Sequence, residues 1–211
     1  MAVSRQIERI LTRRKRNHKR IDKTRRKRLF LPFAQFVMLM PYMTAETVRQ
    51  LELIEPPARI GKADVPKDLQ LVTFGTLTQL QQAAQPADYA RTCCRLVSIL
   101  TGESVERTMS RRACDVLGVV NMVRREMERI GKLFQALNGE KSSNEVAAGI
   151  DRLNFGAFGI VDWYAKRMGI VDHEEVFDTP WARIYQCMKI DYEQGEFEKR
   201  YRKIIERSAK K

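Results

Sequence analysis

Apolar residues recur along this chain mostly three and four positions apart, and that spacing predicts α-helix almost throughout. The clearest run is Ala113, Val116, Val120, Val123, Met127, Ile130, Phe134 and Leu137, separated by 3, 4, 3, 4, 3, 4 and 3 residues. It is a heptad seam about seven turns long, ended by Asn138-Gly139. Ser142-Ser-Asn-Glu145 has the form of a capping box, and Val146, Ile150, Leu153, Ala157, Ile160 and Tyr164 continue from it toward Gly169 with the same spacing. Two consecutive helices with matching seams and a short turn predict a long antiparallel helical hairpin at the centre of an all-α, multi-helix bundle. Gly149 and Gly156 would lie side by side on the second helix and admit a close neighbour, or the run Asn154-Phe-Gly-Ala-Phe-Gly159 bends the helix instead.

The remaining pattern is also helical. Leu29 to Met43 is apolar but holds Pro32 and Pro41, which fit the start and end of a short, fully buried helix over Phe33, Phe36, Val37 and Met40. Val48, Leu51 and Ile54 predict a helix that stops before Pro56-Pro57, and residues 56–66 read as a connection. Pro66-Lys-Asp-Leu predicts the start of a helix bearing Leu69, Val72, Leu77 and Leu80. The next helix turns Tyr89, Cys93, Leu96, Val97 and Leu100 inward as far as Gly102. Asp172-His-Glu-Glu175 forms a second capping box, and Thr179-Pro180 opens a helix carrying Trp181, Ile184, Tyr185 and Met188. A last helix after Gly195 places Phe197, Tyr201 and Ile204 on one face among Lys and Arg. No strand pair with hairpin chemistry and no internal repeat emerges. The expected organisation is a basic amino-terminal helical arm over 1–31, a buried helical segment over 32–55 and a helical bundle over 67–211.

Charge changes this picture at one end. The 211 residues carry a net +13, yet residues 1–28 alone hold 13 Lys and Arg against Glu8 and Asp22, a net of +11 that leaves +2 for all the rest. In the arm, Val3, Ile7, Ile10 and Leu11 share a stripe that Arg14, His18, Ile21 and Arg25 continue, so its later turns want water or phosphate. Release of condensed counterions is a physical reason to gather so many cations on one short segment. The expected contact residues are Arg13, Arg14, Lys15, Arg16, Lys19, Arg20, Lys23, Arg25, Arg26, Lys27 and Arg28, and the expected partner is nucleic acid or an acidic protein surface. Asn17-His-Lys-Arg20-Ile-Asp-Lys-Thr24-Arg25 is similar to the basic region of zipper factors, in which an asparagine and an arginine read bases, but no zipper directly follows and the expected small residues are replaced by Arg20 and Ile21. A DNA- or RNA-binding regulator that reads sequence through the arm is the alternative.

Other chemistry is sparse. The apolar run after the arm is 15 residues long and interrupted by two prolines, below the roughly 18–20 needed to cross a bilayer, so no membrane partner is expected. Cys93, Cys94, Cys114 and Cys187 form neither a disulfide framework nor a C-x-x-C motif, which suits a reducing cytoplasm. Of the adjacent pair Cys93 and Cys94, one is expected in the core and the other at its boundary. His173 with Asp172, Glu174 and Glu175 is the densest group of ionisable residues, and helix capping accounts for it. Gly156-Ala-Phe-Gly159 lacks the preceding strand and the following Lys-Ser or Lys-Thr of a phosphate loop. No metal, no cofactor and no catalytic activity are expected.

Leu153-Asn-Phe-Gly-Ala-Phe-Gly-Ile-Val-Asp-Trp-Tyr, together with Pro180-Trp-Ala-Arg-Ile-Tyr, resembles small helical proteins from the assembly modules of tailed bacteriophages. The resemblance covers roughly the last 60 residues and transfers no functional residue. It implies a structural component or assembly factor of a virion, present in several copies as a homo-oligomer or within a larger assembly. The host cytoplasm or the particle would be its location, and the basic arm would lie against packaged genome, scaffold or an acidic ring.

Overall fold

In the structure, a computed structural model, residues 31–84, 88–139, 143–153 and 155–209 are described. Among them the fold is an all-α helical bundle. The helices are α1 (Phe33–Leu39), α2 (Ala45–Leu51), α3 (Phe74–Ala83), α4 (Tyr89–Thr101), α5 (Val105–Ser110), α6 (Ala113–Gln135), α7 (Ser143–Ala147), α8 (Gly156–Met168), α9 (His173–Phe177) and α10 (Trp181–Ala209). Single 3-10 turns follow α1 and α7. One two-residue antiparallel hairpin, β1 (Arg59–Ile60) and β2 (Ala63–Asp64), interrupts the connection after α2. No spacing of apolar residues announces these strands, and their one local marker is Gly61, which turns the chain at φ +59°. Its missing side chain is needed twice over, because a Cβ there would come within 2.1 Å of the Arg111 guanidinium.

The described chain divides into two compact units that do not follow chain order, whereas the expected division into 32–55 and 67–211 did. Residues 31–65 and 88–122 form one unit, and residues 66–84 and 123–209 the other. Helix α6 contributes its first ten residues to the first unit and the remainder to the second.

In the first unit the start of α6 is buried on nearly every side, with Val116, Leu117, Val119 and Met122 all at 3% exposure or less. A two-helix seam would leave half of these residues in water. Gly118 lets the backbone of Glu55 and Pro56 approach. One turn later the Asn121 amide donates to the carbonyls of Leu51 at 2.7 Å and Ile54 at 3.2 Å, satisfying the carboxy-terminal end of α2. The close approach expected at Gly149 and Gly156 is therefore found at Gly118 instead. Cys93 and Cys94 are both fully buried, which corrects the assignment of one to a boundary: Leu96 and Val97 are buried too, so α4 is covered over a wide arc. Helix α1 departs from expectation in the opposite sense. Phe33 and Phe36 are buried and stacked at 6.1 Å, but Met38 is 74% and Leu39 39% exposed, so only one face turns inward.

In the second unit three expected boundaries move. Residues 66–72 are not helical, because their backbone is engaged elsewhere. Leu69 N–H donates to Glu126 at 3.2 Å, and the Leu69 carbonyl accepts from the Trp181 indole at 2.6 Å. Helix α3 starts only after Thr73, whose hydroxyl accepts from Thr76 N–H. The single helix expected from 144 to 168 is broken: Gly149 at φ +84° ends a five-residue piece, and Gly156 at φ +54° starts α8. The bend expected over Asn154 to Gly159 is a break instead, made at Gly149 and again at Gly156. Conversely, α10 runs through Gly195 without interruption. The aromatic neighbours of Phe134 on α6 are Trp181 at 6.2 Å and Tyr185 at 5.5 Å, both on α10.

Candidate nucleic-acid interface

All eleven expected contact residues, Arg13 to Arg16, Lys19, Arg20, Lys23 and Arg25 to Arg28, lie outside the described residues. The structure does show what their segment is attached to. Immediately after it, Leu31 and Phe33 bond to the turn that opens α6: Ala113 N–H donates to the Leu31 carbonyl at 2.8 Å, and Phe33 N–H to the Arg111 carbonyl at 2.7 Å. Pro32 pairs with Arg112 in an isolated antiparallel bridge, which suits a residue with no N–H to offer. Phe33 at 0% exposure then plugs the core. The first described residues after the basic segment are thus held by a backbone clamp at the start of α6.

Beside this clamp, Arg111 donates to Glu103 at 2.7 Å, with the Glu103 side chain only 8% exposed. Such a partly buried pair fixes geometry more than it adds stability. It ties the turn at 111, the end of α4 and the β1–β2 turn above Gly61 together. Periodicity gave no sign of the clamp, since its bonds are backbone to backbone and carry no residue signature.

The ionisable groups singled out in the second unit are mostly engaged. Asp172 caps α9, its carboxylate accepting from Glu174 N–H at 2.9 Å. Asp162 pairs with Lys166 at 2.7 Å and approaches His173 Nε2 at 4.0 Å, beyond hydrogen-bond distance. The His173 ring meets Phe158 edge-on at 5.2 Å. Asp162 and His173 are therefore neighbours, whereas Asp172 is committed to its cap. Among the described residues, no three His, Cys, Asp or Glu side chains gather as a metal site. Burial pushes the Cys93 thiol up to about 12 and also raises Cys94 and Cys114, the reverse of what a reactive thiolate needs.

Two clefts open in the second unit. One, of about 380 Å³, is lined by Leu137, Phe155, Gly156, Gly159, Ile160, Trp163, Met188, Asp191 and Tyr192. Its one carboxylate, Asp191, is held by Arg167, which also lies 5.7 Å from the centre of the Trp163 ring. The other, of about 300 Å³, lies where Glu126 and Arg129 pair beside Trp181 and Tyr185. No helix of the described residues is long and apolar enough to cross a membrane. No protein family, curated protein or solved structure matches this chain.

Proposed function

We propose that this chain is a non-catalytic structural or assembly protein that attaches to nucleic acid through residues 1–28 and presents its helical body to other components. The observation that carries this reading is the charge step, +11 within 28 residues ahead of a remainder at +2. An ordinary solvated surface spreads its cations, while a polyanion-binding segment concentrates them. The clamp at Leu31 to Phe33 supports the same reading, because the chain that follows the segment is fixed to the core from residue 31 onward. The similarity of residues 153–164 and 180–185 to phage assembly proteins supports a setting in a multi-copy particle. An acidic protein surface is the second occupant of the segment.

The test is filter binding of a random-sequence duplex over a salt series, with the full chain and a chain lacking residues 1–28. If six to eight cations meet phosphates, log K should fall against log salt with a slope of about −5 to −7, and the shortened chain should lose that slope. Equal affinity and slope for both would remove nucleic acid from the proposal. Discrimination of about a thousandfold or more against unrelated DNA would turn the reading toward a sequence-specific regulator.

A further inference from the structure

From Ile190 onward α10 carries an apolar stripe on the side opposite the one that meets Gly139. Ile190, Phe197, Tyr201 and Ile204 are 46%, 60%, 54% and 61% exposed. The opposite face is occupied: a Cβ built on Gly139 would meet the Tyr192 ring at 3.7 Å and Glu196 and Lys199 at 3.9 Å. At 100° per residue, positions 192, 196 and 199 point one way, while 190, 197, 201 and 204 point about 150° from them. Phe197 and Tyr201 stack at 6.1 Å with 11° between their planes, which makes a flat aromatic plate at the middle of the stripe. Read with Gln194 and Ser208, the stripe has the 4, 3, 4, 3, 4 spacing of a coiled-coil seam from 190 to 208.

We propose that this stripe pairs with the same stripe of a second copy of the chain, the two helices running antiparallel about a two-fold axis near residue 199. Charge selects both the occupant and its direction. Asp191, Glu193, Glu196 and Glu198 precede Lys199, Arg200, Arg202, Lys203 and Arg207, with Glu206 the one acid in the basic half. A parallel pair sets Glu193 of each copy beside Glu198 of the other, acid against acid. The antiparallel pair sets Glu193 beside Arg207 at both ends and leaves two like-charge meetings on the axis, Arg200 with its counterpart on one flank and Glu198 with its counterpart on the other, each within reach of the opposite charge next to it on the helix. In that register Tyr201 faces Phe197, Gln194 faces Ile204 and Ile190 faces Ser208, so the aromatic plates of the two copies meet at the centre. This is the self-complementary arrangement of an isologous contact. A seam of about 27 Å lies near the small end of specific interfaces, roughly 1,000–1,200 Å², so the pair forms reversibly with protein concentration.

The proposal does not involve the basic segment, and the test separates the two. Sedimentation of the full chain, freed of nucleic acid by nuclease and high salt, is followed from about 2 to 200 µM, a range that brackets the affinity of a small interface. The mass should rise from 24.6 kDa toward twice that value. Phe197→Glu with Ile204→Glu, two exposed positions whose change leaves the helical circular dichroism intact, should weaken association at least about a hundredfold. Arg207→Glu alone should weaken it about five- to tenfold, and Glu193→Arg added to it should restore most of the loss. Wild-type protein that stays monomeric throughout overturns the pair. So does a Phe197→Glu, Ile204→Glu chain that still associates, and failure of the charge swap to restore association overturns the antiparallel direction. None of these outcomes changes whether removal of residues 1–28 abolishes the salt dependence.

Discussion

The same substitution at two positions of α6 should act with opposite signs. Gly131 lies in the exposed half of the helix, and nothing comes within 4 Å of a Cβ placed on it. Gly131→Ala therefore gains helix propensity without a steric cost, about 0.8–1.0 kcal/mol. At Gly118 the added Cβ would fall 2.3 Å from the Glu55 carbonyl oxygen, 2.8 Å from its carbon and 3.0 Å from Pro56 Cα. Carbon and oxygen normally stand about 3.3 Å apart or more, so the chain at 55–56 must retreat by roughly 1 Å. That movement also draws the carbonyls of Leu51 and Ile54 away from Asn121, which is 8% exposed and has both in hydrogen-bond range. Overpacking of this kind costs about 1–3 kcal/mol, and weakened bonds to Asn121 add to it. Propensity offsets about 1 kcal/mol of the total, so Gly118→Ala should be net destabilising by about 1–3 kcal/mol. For a chain of this length each kcal/mol moves the melting temperature about 2–4 °C. Thermal and urea unfolding followed by far-UV circular dichroism would measure both variants. A Gly118→Ala protein as stable as Gly131→Ala would refute the close approach of residues 55–56 to α6.

Trp181→Phe removes the indole donor from the Leu69 carbonyl and thins a side chain only 3% exposed; it should cost about 1–3 kcal/mol by chemical unfolding. Gly195→Ala, with open space around the position, should add about 0.5–1 kcal/mol and slow amide exchange in the last turns of α10. Burial raises the Cys93 thiol from 9.0 to about 12, so ionisation favours the unfolded chain. The associated stability should be complete below about pH 9 and lost progressively toward pH 12, and Cys93→Ala should lack that part of the pH dependence when the two are unfolded side by side. The native protein should leave Cys93 and Cys94 unmodified by a thiol reagent at neutral pH, and both should react in denaturant.

Helix content was legible because it follows from local spacing, which a sequence carries openly. The boundaries that failed share one cause: backbone groups found partners far away in the chain. Residues 66–72 have helical spacing, yet Leu69 is held on both sides, by Glu126 and by Trp181, and the stretch turns without forming a helix. The stretch from 143 to 168 keeps its seam on paper, but two positive-φ glycines turn the chain, and the spacing of apolar residues does not register φ. Gly195 failed in the other direction, since a glycine alone costs only about 1 kcal/mol and long flanking helices absorb it. The heptad seam of α6 marked inward positions correctly at Val116, Val123 and Ile130. It hid the fact that Leu117, Val119 and Met122 are inward as well. The basic segment was legible because charge adds along the chain. The stripe on α10 could be listed from the sequence but not interpreted, because its significance depends on residues 192, 196 and 199 already occupying the opposite face.

The two proposed contacts bear on each other through valency. A monomer brings one basic segment to a polyanion, whereas a pair brings two, and the second then binds at the effective concentration set by the first. The gain should appear only on a ligand long enough to engage both segments. Phe197→Glu with Ile204→Glu should therefore weaken binding to a long duplex by about tenfold or more while leaving a short oligonucleotide unaffected. Both ligands are measured at the same salt concentration, because each segment alone retains its slope. Equal loss on the short and the long ligand would mean that α10 touches the polyanion directly. No loss on either would mean that pairing at one end of the sequence and attachment at the other act independently.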